Sequence, residues 1–297
     1  MRILLTGTSG FVGSKVLKIL LDKYDDNSII ALSSQNIDGI KTIDSLGYNF
    51  RKGYLCENGC KDVDVLLHMG AFTPKSTANA NDINNSTSNI NNTVKLIDEL
   101  PNLKKIIFIS TIDVYEETEE CITESTKTIP STMYGWSKLY CEQVVKTYCK
   151  QRNLTYEILR LGHVYGEGEE AYRKVMPLMI RNAINGETLN IYGDGKATRS
   201  YIYIDDVAKT IVNSLEVVES EIINVVGNEA ISVEELALMI KKLSSDKVDI
   251  KYIPSKAKNR FYIFDNSKLT QKLISNFVPF REGLEREYKY LERMIKS

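Results

Sequence analysis

Residues 1–13 read Met1-Arg2-Ile3-Leu4-Leu5-Thr6-Gly7-Thr8-Ser9-Gly10-Phe11-Val12-Gly13. A short aliphatic run stops at a glycine, two more glycines follow at intervals of three, and Val12, Val16, Ile19 and Leu20 then fall at helical spacing. The stretch reads as strand, tight turn, helix. Such a turn needs residues that accept dihedrals closed to others. Without side chains in the way, a phosphate can approach the main chain, where the helix N-terminus offers free N–H groups and positive dipole charge. The context points to a dinucleotide pyrophosphate as the ligand; a turn that binds nothing is the plain alternative.

Outward from this turn the same alternation continues. Apolar strands are predicted over residues 28–32, 63–69, 103–110 and 154–161, with helices between them, one over residues 83–100 in an asparagine-rich stretch. Near-continuous apolar strands separated by helices imply a parallel sheet covered on both faces. The predicted fold class is therefore α/β: a doubly wound, Rossmann-like sheet with a smaller, interleaved C-terminal lobe. Residues 1–165 form mainly the dinucleotide-binding part and 166–297 mainly the substrate lobe, with segments around 200–230 returning to the first part. Helices are expected over 175–185, 205–217 and 233–242 and from about residue 282, and strands over 222–226 and 249–253.

Composition narrows the classes. The formal net charge of −1 offers no global attraction to nucleic acid or membrane. The N-terminal apolar run is too short for a signal peptide or a span, so a cytoplasmic location is expected. The five cysteines are irregularly spaced and the two histidines, His68 and His163, complete no zinc motif. No metal is expected. His68, inside an apolar strand, reads as structural.

Tyr134 and Lys138 lie four apart in Tyr134-Gly135-Trp136-Ser137-Lys138, on one face of a helix. An ammonium beside a phenol lowers its pKa from about 10, which suits the phenol to acid–base work. Thr111 ends the strand upstream and can hold the oxygen that loses its proton. Taken alone, the pair could equally be two residues of a solvated helix face.

Together these segments resemble the extended short-chain dehydrogenases that modify nucleotide sugars. Thr6 to Gly13 is similar to the family's TGxxGxxG, and Leu66-Leu67-His68-Met69-Gly70-Ala71 to VIHLAA. Ile109-Ser110-Thr111-Ile112-Asp113-Val114-Tyr115 resembles SSxxVYG, and Tyr134 to Lys138 with Glu142 resembles YxxSKxxxE. Leu159 to Gly166 resembles LRxxNVYGPG, Ile191 to Gly195 with Arg199 to Asp206 resembles YGDG…RxYIYVxD, and Asp265 to Leu269 resembles the late DxSK. The resemblance implies Thr111, Tyr134 and Lys138 as the catalytic triad. It assigns the cofactor, NAD or NADP, to Gly7, Ser9, Gly10, Phe11, Val12, Gly13, Ser33, Ala71, Tyr134 and Lys138. It gives a nucleotide-diphosphate sugar to His163, Arg199 and Arg260, although either arginine could be a surface ion pair. It also implies a homodimer through the helices around residues 83–100 and 134–152.

The departures are informative. The second strand runs into Ser33-Ser34-Gln35-Asn36, without the carboxylate that reads the ribose of NAD, so NADP stays open. Where dehydratases of this family carry an Asp-Glu pair, this chain has Ile112 and Asp113. Isoleucine cannot protonate a leaving hydroxyl, so dehydration is disfavoured. Asp113 is either an extra acid or base facing the sugar or a loop cap. The function expected is an NAD(P)-dependent NDP-sugar 4-epimerase. The rival is an NADPH-dependent reductase of a 4-keto-6-deoxy sugar, and a non-catalytic NAD(P) sensor is further off because the triad is complete.

Overall fold

A computed structural model describes residues 1–45, 52–256 and 258–296. The first half runs β1 (Ile3–Thr6), α1 (Phe11–Lys23), β2 (Ile29–Ser33), β3 (Lys41–Asp44), β4 (Val65–His68), α2 (Ile83–Asp98), β5 (Lys105–Thr111), α3 (Met133–Arg152) and β6 (Thr155–Leu161). The second half continues with β7 (His163–Tyr165), α4 (Val175–Ile184), β8 (Leu189–Tyr192), β9 (Thr198–Tyr203), α5 (Ile204–Asn213), β10 (Glu221–Val225), β11 (Ala230–Ser232), α6 (Val233–Leu243), β12 (Ile250–Ile253), α7 (Ser267–Lys272) and α8 (Phe280–Lys296).

Seven strands form one parallel sheet in the order β10-β6-β5-β4-β1-β2-β3. The chain winds outward from β1 through β2 to β3, then crosses back and starts again on the other side of β1. That reversal opens a crevice at the carboxyl ends of β1 and β4, where open α/β sheets bind ligands. The alternating side chains of each strand feed two cores. Ile3 and Leu5 pack with Val16 and Leu20 of α1 and with Val207 and Ile211 of α5. Leu4, Leu66, Ile106 and Phe108 pack on the other face with Leu96 of α2 and Cys141 and Val145 of α3. The predicted α/β class and doubly wound sheet are what the chain forms.

Helix α2 forms despite its asparagines because several are put to use. Asp82 caps it, accepting from the Asn85 N–H at 3.0 Å. Buried Asn89 accepts from the Phe72 N–H at 2.7 Å and donates back to the Phe72 carbonyl at 3.1 Å, tying the loop after β4 to the helix. The helix expected over 205–217 stops as α5 at Asn213 and tightens into one 3₁₀ turn, Ser214–Glu216. Two small sheets were not read from the sequence: β11-β9-β7, and β12 paired with β8. Their strands are short, and each pairs with a partner distant in the chain.

Candidate active site

The glycine turn is built by close approach. Gly7 has φ +76°, and a side chain there would come within 2.6 Å of the Gly70 nitrogen on the neighbouring strand end. A Cβ on Gly13 would stand 2.0 Å from the Gly7 carbonyl oxygen, so α1 can start only against bare backbone. Gly10 differs: it is exposed, and its Cβ would meet nothing nearer than that same oxygen at 3.3 Å. No side chain caps α1 and no acid lies in its first turn, which leaves its dipole and first N–H groups to a ligand. Beneath the turn, the Thr6 hydroxyl and His68 Nδ1 share a hydrogen bond at 2.8 Å, and His68 Nε2 bonds the Thr93 hydroxyl at 3.0 Å. Burial and the nearby Lys138 push His68 down to about 3. It is a neutral strut linking β1, β4 and α2.

A cleft of about 890 Å³ runs from this turn across the ends of β4, β5 and β7. Gly7, Ser9, Gly10, Phe11, Val12, Gly13 and Ala71 line one end, and Thr111, Asp113, Tyr134 and Lys138 line the middle. His163 and Arg260 line the far side. Ser33 and Arg199 do not line it. Ser33 is buried at the end of β2, its hydroxyl accepting from the Gln35 N–H at 3.1 Å. Arg199 lies behind the cleft wall, over the ring of Tyr262 at 5.1 Å, and donates to the Thr198 carbonyl at 2.8 Å. The cleft also takes in Thr73, Tyr172, Lys174 and Tyr262, which the sequence did not single out. Their roles depend on loops that meet only in the folded chain.

Helix α3 carries Tyr134 and Lys138 on its buried face. Thr132 caps it, accepting from the Gly135 N–H at 3.1 Å. Gly135 lets the helix lie on the turn after β5, since a Cβ there would stand 2.4 Å from the Asp113 carbonyl oxygen. That turn is braced from behind. Glu142 accepts from Ser110 at 2.6 Å and from Arg160 at 2.9 and 2.7 Å, and Arg160 also donates to the Tyr115 hydroxyl at 2.8 Å. A buried charge pair with its hydrogen bonds filled in this way fixes geometry.

The electrostatics follow from the packing. Burial, then the charge of Asp113, push the Tyr134 phenol above its ordinary value, while the hydroxyls of Thr73 and Thr111 pull it down. Burial pushes Lys138 down to about 8. Asp113 opens onto the cleft but is flanked by protein. Desolvation raises its carboxyl, against the Thr111 hydroxyl and the charges of Arg260, Arg199 and Lys174. His163 is held neutral by burial and by the charges of Arg199 and Lys174. Its Nδ1 is buried with no hydrogen-bond partner among the described residues, and its ring sits edge-on to Tyr262 at 5.0 Å. An unsatisfied polar atom on a cleft wall suits a polar ligand. Among the described residues, no group of three or more His, Cys, Asp or Glu could hold a metal. No helix among them is long and apolar enough to cross a membrane.

Residues 3–226 match the model of the NAD dependent epimerase/dehydratase family. A dTDP-D-glucose 4,6-dehydratase of Dictyostelium discoideum is 30% identical over 234 residues, which cover 69% of this chain and 53% of that one. A putative UDP-glucose 4-epimerase of Methanocaldococcus jannaschii is 29% identical over 248 residues, covering 80% and 81% of the two chains. The chain spans about half the length of the first curated relatives it matches. The solved structure of a UDP-glucuronic acid 4-epimerase from Bacillus cereus, in complex with UDP-glucuronic acid and NAD, superposes with a TM-score of 0.85 at 27% identity, over 99% of this chain and 100% of that one.

Proposed function

The chain belongs to the NAD dependent epimerase/dehydratase family, whose members act on nucleotide sugars, and on that premise we propose that it is a nucleotide-diphosphate-sugar 4-epimerase using NAD. The observation that carries the reading is the placing of Thr111, Tyr134 and Lys138 along one cleft that begins at an uncapped, glycine-lined helix N-terminus. The cleft fits the cofactor: a helix end with free N–H groups, bare backbone at Gly7 and Gly10, and space for an extended ligand.

When bound, an oxidised nicotinamide would supply the redox chemistry, reversible hydride transfer at C4 of the sugar. The residues of this chain handle placement and the proton. Gly7, Ser9, Gly10 and Gly13 receive the pyrophosphate, with Phe11, Val12 and Ala71 as apolar walls. Thr111 holds the 4-oxygen by its hydroxyl. Tyr134 Oη takes the 4-hydroxyl proton and returns it after the 4-keto sugar has turned over in the cleft. Arg260 and His163 face the diphosphate, and Arg199 adds positive charge from behind Tyr262.

A second reading uses the same residues as an NADPH-dependent reductase of a 4-keto-6-deoxy sugar. It is favoured by Ser33 and exposed Ser34, which stand where a carboxylate would repel the extra phosphate of NADP. Dehydration is disfavoured, because Ile112 has no proton to give. The deciding assay incubates the protein and NAD with UDP-glucose, UDP-galactose or UDP-glucuronic acid and follows the C4 configuration by proton NMR. An epimerase drives each pair to one equilibrium mixture from both sides, without net cofactor turnover. Deuterium passing from labelled NADPH to C4 of a keto sugar would move the assignment to reductase. A 4-keto-6-deoxy product from a hexose would overturn the reading of Ile112.

A further inference from the structure

Four carboxylates line the cleft, Asp113, Glu116, Glu117 and Glu119, and of these Asp113 stands nearest Thr111 in the chain. Asp113 follows Thr111 by two residues, and its own N–H donates to the Thr111 hydroxyl at 3.2 Å. Its backbone is pinned under α3 by the close approach of Gly135. Its side chain opens onto the same stretch of cleft as Tyr134, near enough for its charge to act on the phenol. The charges of Arg260, Arg199 and Lys174 reach Asp113, but two of these cations are shared with other carboxylates or carbonyls. Lys174 is paired with Glu169 at 2.9 Å and donates to the Val164 carbonyl at 3.0 Å, and Arg260 is paired with Glu117. Among the described residues Asp113 has no ion-pair partner of its own.

We infer that Asp113 is a specificity determinant for the sugar: the site takes nucleotide-diphosphate hexoses that are uncharged at C6 and discriminates against hexuronates. The inference rests on the epimerase reading of the same cleft. The geometry is simple. Tyr134 and Thr111 fix where the 4-oxygen lies, and C6 is borne by C5, the neighbour of C4. A carboxylate at C6 would therefore fall in the space shared by Tyr134 and Asp113. Two like charges at that range, in a cleft partly shielded from water, repel strongly. A hydroxymethyl group there can instead donate a hydrogen bond to Asp113. Discrimination then comes from a repulsive element as much as from an attractive one. The Bacillus cereus structure holds UDP-glucuronic acid, so the two chains would differ in substrate at one fold.

The test measures binding apart from turnover. Tyr134→Phe protein loaded with NAD is titrated calorimetrically with UDP-glucose and with UDP-glucuronic acid, with and without Asp113→Asn. The parent should bind UDP-glucose about 10-fold or more tighter than UDP-glucuronic acid. Asp113→Asn should bring the two within about 3-fold, chiefly by improving the uronate, and Asp113→Glu should restore the gap. Equal or preferred binding of the uronate by the parent would overturn the inference, as would a ratio unmoved by Asp113→Asn. If neither nucleotide sugar bound, the epimerase reading would fall and this inference with it. An unmoved ratio with both ligands bound would remove this inference alone.

Discussion

Lys138 donates its ammonium to the carbonyl oxygen of Ile109 at 2.6 Å and lies over the ring of Phe108, 4.6 Å from its centroid. Its ammonium is thus directed at β5, and the Tyr134 phenol stays above its ordinary value under burial and the charge of Asp113. The spacing of the two residues on α3 suggested an ammonium that brings the phenol down directly. In the folded chain the helix does bring both to the cleft, but the lysine reaches past the phenol to the strand. In the proposed reaction Tyr134 would therefore depend on the positive charge that a bound oxidised dinucleotide brings.

Two variants separate the roles. Tyr134→Phe keeps the ring and its edge-on contact with Phe72 at 6.5 Å and removes the hydroxyl that carries the proton. Turnover should fall by about 10² to 10⁴, while the calorimetric affinity for NAD stays within about 3-fold, a change of under 1 kcal/mol. Lys138→Met should lose turnover and NAD affinity together. Full turnover by Tyr134→Phe would show that another group moves the proton.

The glycine turn makes a sharper prediction than a motif could. Gly13→Ala drives a methyl into the Gly7 carbonyl at 2.0 Å, so it should destabilise the fold by about 1–3 kcal/mol even without ligand. Gly10→Ala asks the Gly7 carbonyl, 3.3 Å from the new methyl, to give only slightly and should unfold within about 0.5 kcal/mol of the parent. Its cost should appear as weakened dinucleotide binding. Denaturant titration measures the first effect and calorimetry the second. Unchanged NAD affinity in folded Gly10→Ala would argue that the pyrophosphate lies elsewhere.

The strand-turn-helix opening, the central strands and the Tyr134/Lys138 helix were legible because their signals are local. Burial of every β1 and β5 position leaves continuous apolar runs, and glycines mark a turn that nothing else can make. Arg199 was not placeable in this way. Whether its guanidinium meets the cleft or the wall behind it is decided by Tyr262, which the chain supplies much later in a loop without periodicity. Lys41–Asp44 escaped for a related reason: only Ile43 of its four residues is buried, so the edge strand shows little apolar pattern. Asp44 consequently stands in register with Ser33, placing a carboxylate at that end of the sheet from a neighbouring strand.

Helices α2 and α3 pack side by side and carry Ile83, Val94, Met133, Trp136 and Tyr140 exposed. A groove of about 350 Å³ lies between them, walled by Ile90, Met133, Trp136 and Tyr140. Large apolar side chains gathered on one face usually mark an interface, and a two-fold homodimer is the commonest way to cover one. Light scattering at micromolar protein should return twice the chain mass, and Trp136→Arg should return the single-chain mass with the fold intact. A monomeric parent would remove the dimer.

Glu287 on α8 and Glu169 are both buried to 1% exposure, and neither oxygen of Glu287 finds a hydrogen-bond donor among the described residues. One cation serves the two acids: Lys174, which pairs with Glu169 at 2.9 Å. Glu169 therefore takes the charge. Burial first, and then the Glu169 carboxylate, push Glu287 well above the ordinary carboxylate range, so the folded chain holds this proton to higher pH than the unfolded chain does. The sign of the linkage follows. Above the ordinary value of 4.5 the unfolded chain releases this proton and the folded chain retains it. Folding then binds a proton, and stability falls as pH rises from that value towards the raised folded one. Glu287→Gln keeps the shape and an N–H for Glu169 but cannot titrate. The variant should match the parent near pH 4.5 and exceed it increasingly as pH rises, by roughly 1–3 kcal/mol at pH 9. Other buried acids, such as Glu157, titrate alike in both proteins and cancel from the difference. Thermal unfolding of the pair across pH 4.5–9 reads it directly. A stability difference that stays flat with pH, or grows in the parent's favour, would show that Glu287 is charged in the folded protein.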